Sequence, residues 1–228
     1  MKKIDIATYQ ALVATATVVE RDPFGEKVLA LPDGLLVKIF RRKRLWSSAT
    51  IYPYAARFVR NARRLTALGI STVTVLDVAY CAEAHRYLVT YRPLPGETLR
   101  GVLLDSDVNR GTLLDAAAKY IAVLHAKGVF FRSLHFGNII VSPEDRQMGL
   151  IDVADLGFRR QPLSIRERLR NFRHMLRYAE DVSHLRDFGW AFFVTCYLKA
   201  LPLSSIESTR LRDALQLLPE FSPAVAGE

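Results

Sequence analysis

Three residues of this sequence have the type and setting to handle a phosphate and a cation. Lys38 interrupts the apolar run Leu35-Leu36-Val37-Lys38-Ile39-Phe40, where an ammonium needs a partner if it points inward. Strand periodicity leaves it equally free to face solvent, and by itself it reads as an edge lysine. Asp152 ends the run Met148-Gly149-Leu150-Ile151, and a carboxylate at the end of a buried strand is well placed to hold a cation. Asn138 precedes Ile139-Ile140-Val141, and an amide oxygen can complete a magnesium shell. None of the three specifies a site singly.

Their meaning depends on the elements that must position them. From Val28 the pattern is VLAL, the turn Pro32-Asp33-Gly34, then LLVKIF, which predicts a β-hairpin. The first twenty residues mix helical and strand character and serve as a lead-in. Ala55, Phe58, Val59, Ala62, Leu65 and Leu68 fall at helical spacing before Gly69, a C-terminal signal. Strand-like runs follow at 72–78 and 86–91, then the loop Pro93-Leu94-Pro95-Gly96, with a short helix starting at Glu97. The second half is mostly helical. An apolar-rich helix over 112–127 ends at Gly128, and two short runs, 139–141 and 148–153, flank the turn Ser142-Pro143-Glu144-Asp145 as a small hairpin. Helical patterns resume near Ser164 and continue through Ala200, and the last twenty residues end in a Pro/Gly-containing tail.

The order of these parts is more specific than any one of them. A strand lysine, a helix, a hinge with Pro and Gly, then "LHAKGVFFRSLHFGN" and "GLIDVADLGF" resembles the protein-kinase superfamily along most of the chain. More narrowly, "DGLLVKIFRRKR", "YPYAARF", "FRSLHFGNI" and "RRQPLSIRERLRNFRHMLRY" resemble the toluene-tolerance proteins of Gram-negative bacteria, grouped with the lipopolysaccharide-core heptose and Kdo kinases. The resemblance implies an α+β, protein-kinase-like two-lobe fold: residues 1–92 a β-rich N-lobe with one helix, residues 93–228 a helical C-lobe with a catalytic-type loop and a small hairpin. By the same resemblance Lys38 contacts the α/β phosphates of ATP, while Asn138 and Asp152 hold Mg²⁺. The segment 22–27 stands where a phosphate-covering loop belongs, but Gly25 is its only glycine, so it also reads as a plain turn.

Two departures bear on activity. Ser133 lies five before Asn138, where active kinases carry the aspartate that accepts the substrate proton, and Phe131 stands two before it in place of His. Asn61 stands where the helix Glu that pairs with the lysine is expected. Phosphoryl transfer relies on positioning and charge stabilisation more than on proton removal, and a missing base slows such a step by roughly 10²- to 10⁴-fold. His135 and Asp155 are candidate substitutes; His135 reads as loop structure, and Asp155 as a second metal ligand, a base or, preferred slightly, a helix N-cap.

Composition sets the outer bounds. The 228 residues are half apolar, enough to bury a core in one domain or two lobes. Cys81 and Cys196 are far apart, without CxxC or Cys/His ligand spacing, so neither a disulfide framework nor a zinc site is suggested and a reducing compartment is expected. The threonines and polar residues near the N-terminus make a poor signal peptide. No apolar run reaches the ~18–20 residues that span a bilayer, so a cytoplasmic protein, peripheral at the inner membrane, is expected. The formal charge of +9 is clustered: Arg41 to Arg44, then Arg57, Arg60, Arg63 and Arg64, and most densely residues 159–177. There Arg166, Arg170, Arg173 and Arg177 form one helical stripe and Ile165, Leu169, Phe172 and Leu176 an apolar one. Such a face suits a polyanion, with phosphorylated glycolipid or an anionic membrane surface the expected partner; a solvated stabilising helix is the plain alternative. Nucleic acid rests on charge alone, since no nucleic-acid motif accompanies it. The function expected is a lipopolysaccharide-kinase-like protein that binds ATP and Mg²⁺ and acts on an envelope core sugar; the alternative is a pseudokinase that serves as a binding or scaffold module.

Overall fold

The computed structural model describes residues 1–41, 54–105 and 107–221; most of the basic cluster at 41–44 lies outside them. The chain forms two compact units, one of Met1–Pro95 with Gly149–Ala154, the other of Gly96–Met148 with Asp155–Glu228. The organisation is α+β, with the first unit strand-rich and the second largely helical.

The strand-rich unit runs β1 (Lys2–Ile4), α1 (Ile6–Thr15), β2 (Thr17–Asp22), β3 (Gly25–Ala30), β4 (Leu36–Arg41), α2 (Tyr54–Ala67), β5 (Ser71–Thr72), β6 (Thr74–Cys81) and β7 (Arg86–Arg92). Six strands form one sheet in the order β1-β6-β7-β4-β3-β2. The lead-in thus supplies both edge strands. It also supplies α1, capped by Asp5 Oδ1, which accepts from Thr8 N at 2.8 Å. Tyr9, Leu12 and Val13 of that helix pack on a core of Leu29, Val37, Ile39, Ala79 and Leu88.

β4 lies between β3 and β7, in antiparallel register with both (Val28 opposite Lys38, Lys38 opposite Val89). Lys38 is therefore on an interior strand, and the edge-lysine reading is wrong: both flanks of β4 are hydrogen-bonded. Because side chains alternate along a strand, Val37 and Ile39 enter the α1-side core while Lys38 and Phe40 face α2. The ring of Phe40 lies 5.8 Å from that of Phe58. α2 buries Ala55, Phe58, Asn61, Ala62 and Leu65 at the expected spacing and ends before Gly69, whose φ of 67° is left-handed. Residues Gly149 and Leu150 of β11 (Met148–Leu150) pair in parallel with Ser71 and Thr72. A Cβ on Gly149 would lie 2.8 Å from the Ser71 carbonyl oxygen, so only glycine fits there.

The helical unit contains β8 (Glu97–Thr98), α3 (Leu99–Leu104), α4 (Arg110–Ala126), β9 (Val129–Phe131), β10 (Ile139–Val141), β12 (Leu156–Phe158), α5 (Ile165–Met175), α6 (Ala179–Phe188), α7 (Trp190–Lys199) and α8 (Ser205–Gln216). β9 pairs with β12 and β10 with β8, both antiparallel, and Ser142 N donates to Gln147 O at 2.9 Å to close the expected turn. α4 packs its apolar residues against α7. α5 opens with a capping box, in which Ser164 and Glu167 satisfy each other's backbone N–H groups. Its inner face differs from the purely apolar stripe expected: Phe172 and Leu176 are buried and Ile165 and Leu169 half-buried, but Arg168, Asn171 and His174 are buried beside them.

Candidate functional site

In the strand-rich unit Lys38 Nζ donates to Asp152 Oδ1 at 2.9 Å across 114 residues of sequence. The lysine is 7% exposed, its ammonium 6.0 Å from the centre of the Phe58 ring. The carboxylate is less enclosed, with 40% of its side chain accessible. Two features hold Asp152 there. Its backbone is left-handed, φ 52°, a conformation that short polar side chains accept better than most. Just beyond it, Asn61 Nδ2 donates to Val153 O at 2.8 Å and to Ala154 O at 3.2 Å, tying these two residues to α2. The negative charge of Asp152 is also felt at Tyr91, whose hydroxyl is pushed up to about 12 by burial first, then by Asp152 and Glu20.

Asn61 carries no charge with which to pair Lys38. The α2 residue beside Lys38 is Phe58, one turn earlier, and the fully buried amide of Asn61 instead clamps the chain that follows Asp152. Lys38 is held without a helix carboxylate because Asp152 supplies the charge and Phe58 the ring face. Gly25 lies at the tight β2–β3 turn, φ 118°, where Phe24 N donates to Asp22 Oδ1 at 2.8 Å and the Arg41 guanidinium stacks on the Phe24 ring at 3.6 Å.

The other residues singled out from the sequence belong to the helical unit. Asn138 ends the short turn Phe136–Asn138. Its Nδ2 donates to Ser133 O at 2.9 Å and its backbone N to His135 O at 2.9 Å, so Ser133, His135 and Asn138 share one compact loop. The His135 ring packs on Tyr178 at 4.3 Å. Asp155 is followed by β12, not by a helix, so the N-cap reading fails.

What fixes this loop is a residue the sequence did not single out. Asp181, fully buried in α6, takes Arg100 Nε on Oδ1 at 2.8 Å, and on Oδ2 Arg100 Nη2 at 3.1 Å and Phe136 N at 2.9 Å. The Arg100 guanidinium, its charge reinforced by that bond to Asp181, also lies 4.8 Å from the Tyr178 ring. Upstream, Asn171 brackets Phe131, its Nδ2 donating to Phe131 O at 2.6 Å and its Oδ1 accepting from Phe131 N at 3.3 Å. That same Oδ1 meets His125 Nε2 at 3.1 Å, while His125 Nδ1 lies 2.7 Å from the Tyr197 hydroxyl. An amide oxygen only accepts, so Nε2 carries the proton. Burial, then the nearby Arg168 charge, lowers His125 to about 3. A Glu-Asp pair at a helix start reads as a solvated cap, so no local pattern marks Asp181; His125 and Asn171 carry no periodic signal either.

Arg166, Arg170, Arg173 and Arg177 are all exposed, as one basic stripe. Among the described residues no helix is long and apolar enough to cross a membrane.

No protein-family model matches the chain, and no curated protein matches it. Among solved structures it is similar to a co-crystal structure of WbdD with the kinase inhibitor LY294002 and to a medium-resolution structure of the bifunctional kinase-methyltransferase WbdD, each at 15% identity and a TM-score of 0.47. The alignments cover 86% of this chain but 43% and 42% of those chains, so it spans less than half of their length.

Proposed function

We propose that the chain is a kinase-like protein that binds ATP with Mg²⁺, of the lipopolysaccharide-kinase and toluene-tolerance type its motifs resemble. The observation that carries this reading is the Lys38–Asp152 pair: a buried strand ammonium facing a half-open carboxylate on strained backbone. A magnesium ion supplies charge neutralisation at the phosphates and takes most of its ligands from phosphate and water, needing only one or two protein oxygens. The residues fit such an ion, because Lys38 engages only Oδ1 of Asp152 and the side chain is 40% accessible. Lys38 would release Asp152 to the metal and take an α- or β-phosphate oxygen instead. For Asn138 a metal-ligand role rests on the resemblance alone, and Oδ1 would be its donor atom. Isothermal titration should show ATP binding that strengthens at least tenfold with Mg²⁺; Mg²⁺-independent binding, or none, would defeat the reading.

A second reading, a pseudokinase acting as a binding or scaffold module, is favoured by Ser133, which offers a hydroxyl where a carboxylate base is needed and whose carbonyl is committed to Asn138. His135 packs on Tyr178 and Asp155 leads directly into β12. Phosphate transfer measured on the titrated sample separates the two, with slow or no turnover expected. The acceptor class follows from charge. The exposed stripe on α5 would engage phosphorylated glycolipid or an anionic membrane surface, and changing Arg166, Arg170 and Arg173 to Gln should weaken sedimentation with anionic vesicles and flatten its salt dependence. Unchanged sedimentation would return the stripe to a solvated face.

A further inference from the structure

The strand-rich unit contains a groove of about 680 Å³ lined, among the described residues, by Met1, Ala55, Ala56, Val59, Arg60, Arg63, Val78 and Tyr87. Five of these come from α2 at positions 55, 56, 59, 60 and 63, a stripe along one side of the helix. Val78 and Tyr87 add the surface of β6 and β7. None of these residues belongs to the Lys38–Asp152 arrangement, and the α2 residues that do, Phe58 and Asn61, are not among the lining. We propose that this groove binds a single acyl chain carrying a phosphate head group.

Three observations select that class. The walls are mostly aliphatic, with few polar groups to orient a sugar or a base, whereas such walls accept methylenes at about fourfold in affinity for each one buried. The volume falls within the roughly 300–1,000 Å³ of small-molecule sites. The polar part of the lining is cationic: α2 carries Arg57, Arg60, Arg63 and Arg64 and no acidic residue. Arg60 spends donors on Asn61 Oδ1, at 3.3 Å, but Arg63 is exposed, and its planar fork matches a phosphate. An apolar trough with arginines at its margin complements an anionic amphiphile, chain inward and head group at Arg63.

The test titrates the whole chain with dodecyl phosphate below its micellar concentration, in the absence of nucleotide, so that its outcome is independent of the ATP·Mg²⁺ reading. One chain should bind per protein, octyl phosphate should bind at least tenfold more weakly, and inorganic phosphate should not compete. Ala56→Trp, which fills the trough, should lower affinity at least tenfold; Arg63→Glu, an exposed change that spares the fold, should lower it about tenfold and reduce its salt dependence. The triple Gln variant of the α5 stripe should bind like the parent, which distinguishes this site from the surface charge there. Equal binding by Arg63→Glu and the parent would overturn the proposal, as would inorganic phosphate competing as well as the amphiphile. So would a parent that sediments as a dimer and becomes monomeric on Ala56→Trp, since the groove would then be covered by a second copy.

Discussion

Two aspartate–cation pairs, Asp181–Arg100 in the helical unit and Asp152–Lys38 in the strand-rich unit, are built for opposite purposes. In the helical unit Asp181 is fully buried and receives three hydrogen bonds, two from Arg100 and one from Phe136 N. In the strand-rich unit Asp152 receives one, from Lys38, and stays 40% exposed on a left-handed backbone. A fully buried carboxylate that accepts three hydrogen bonds cannot exchange partners without leaving donors buried and unmet. A carboxylate held by one bond can. The difference separates a residue that fixes a loop from one that is free to exchange its partner, although both would appear as ion pairs in a simple survey.

The same substitution at the two sites is the most direct way to break that comparison. Asp181→Asn replaces one acceptor oxygen with an NH₂ group, and every neighbour of that carboxylate is a donor, so whichever way the amide turns a donor faces a donor in a fully buried place. The expected loss is about 3–5 kcal/mol of stability, the range for breaking a buried charge pair, read by chemical denaturation. A loss below about 1 kcal/mol would mean that Asp181 does not hold the Phe136–Asn138 turn.

The ingredients of this contrast were unequally legible in the sequence. Lys38, Asn138 and Asp152 stand out because each interrupts or borders an apolar run, and the α2 pattern is visible because its buried residues recur at helical spacing. Which way Lys38 points was not legible, since period two gives both faces equal standing until β3 and β7 flank β4. Asn61 was noticed for what it lacks, a carboxylate for Lys38, and not for what it holds: its amide reaches residues 92 and 93 positions away, and no local pattern encodes that reach. Asp155 reads as a cap only if a helix follows it, and the three-residue strand β12 is too short to announce itself. The lead-in's strand and helix signals overlap because β1, α1 and β2 follow one another with one residue or so between them.

The buried polar core of the helical unit gives the next largest effect, through pH. His125 titrates ordinarily near 6.5 but near 3 in the fold, mainly because burial disfavours its charged form. The unfolded chain therefore takes up a proton below about pH 6.5 that the folded one refuses down to about 3. Stability falls as pH drops through that window, at up to about 1.4 kcal/mol per unit, or about 2 kcal/mol by pH 5. The strand-rich unit has no such buried histidine among its described residues. Hydrogen exchange between pH 7 and 5 should show α4 and α5 losing protection before β3 and β4 do. His125→Gln, which cannot take up the proton, should flatten the slope whatever its effect at neutral pH. An unchanged slope in that variant would remove His125 as the cause.

The smallest stability effect is expected at Asp152, and its smallness is the informative part. Asp152→Asn keeps a short polar side chain suited to the left-handed backbone, keeps an oxygen to accept from Lys38 Nζ, and turns its new NH₂ toward water that already reaches the residue. The ion pair it weakens is partly exposed, so the change should stay within about 1 kcal/mol. An amide has no charge to offer a cation, however, so thermal stabilisation by ATP should lose its Mg²⁺ dependence in the variant while the midpoint without nucleotide barely moves. If Asp152→Asn instead costs as much as Asp181→Asn, the two carboxylates are of one kind, and Asp152 is a structural partner of Lys38. If it costs little and Mg²⁺-dependent stabilisation survives, the openness of Asp152 serves something other than the metal, and Asn138 Oδ1 becomes the first donor to examine in its place.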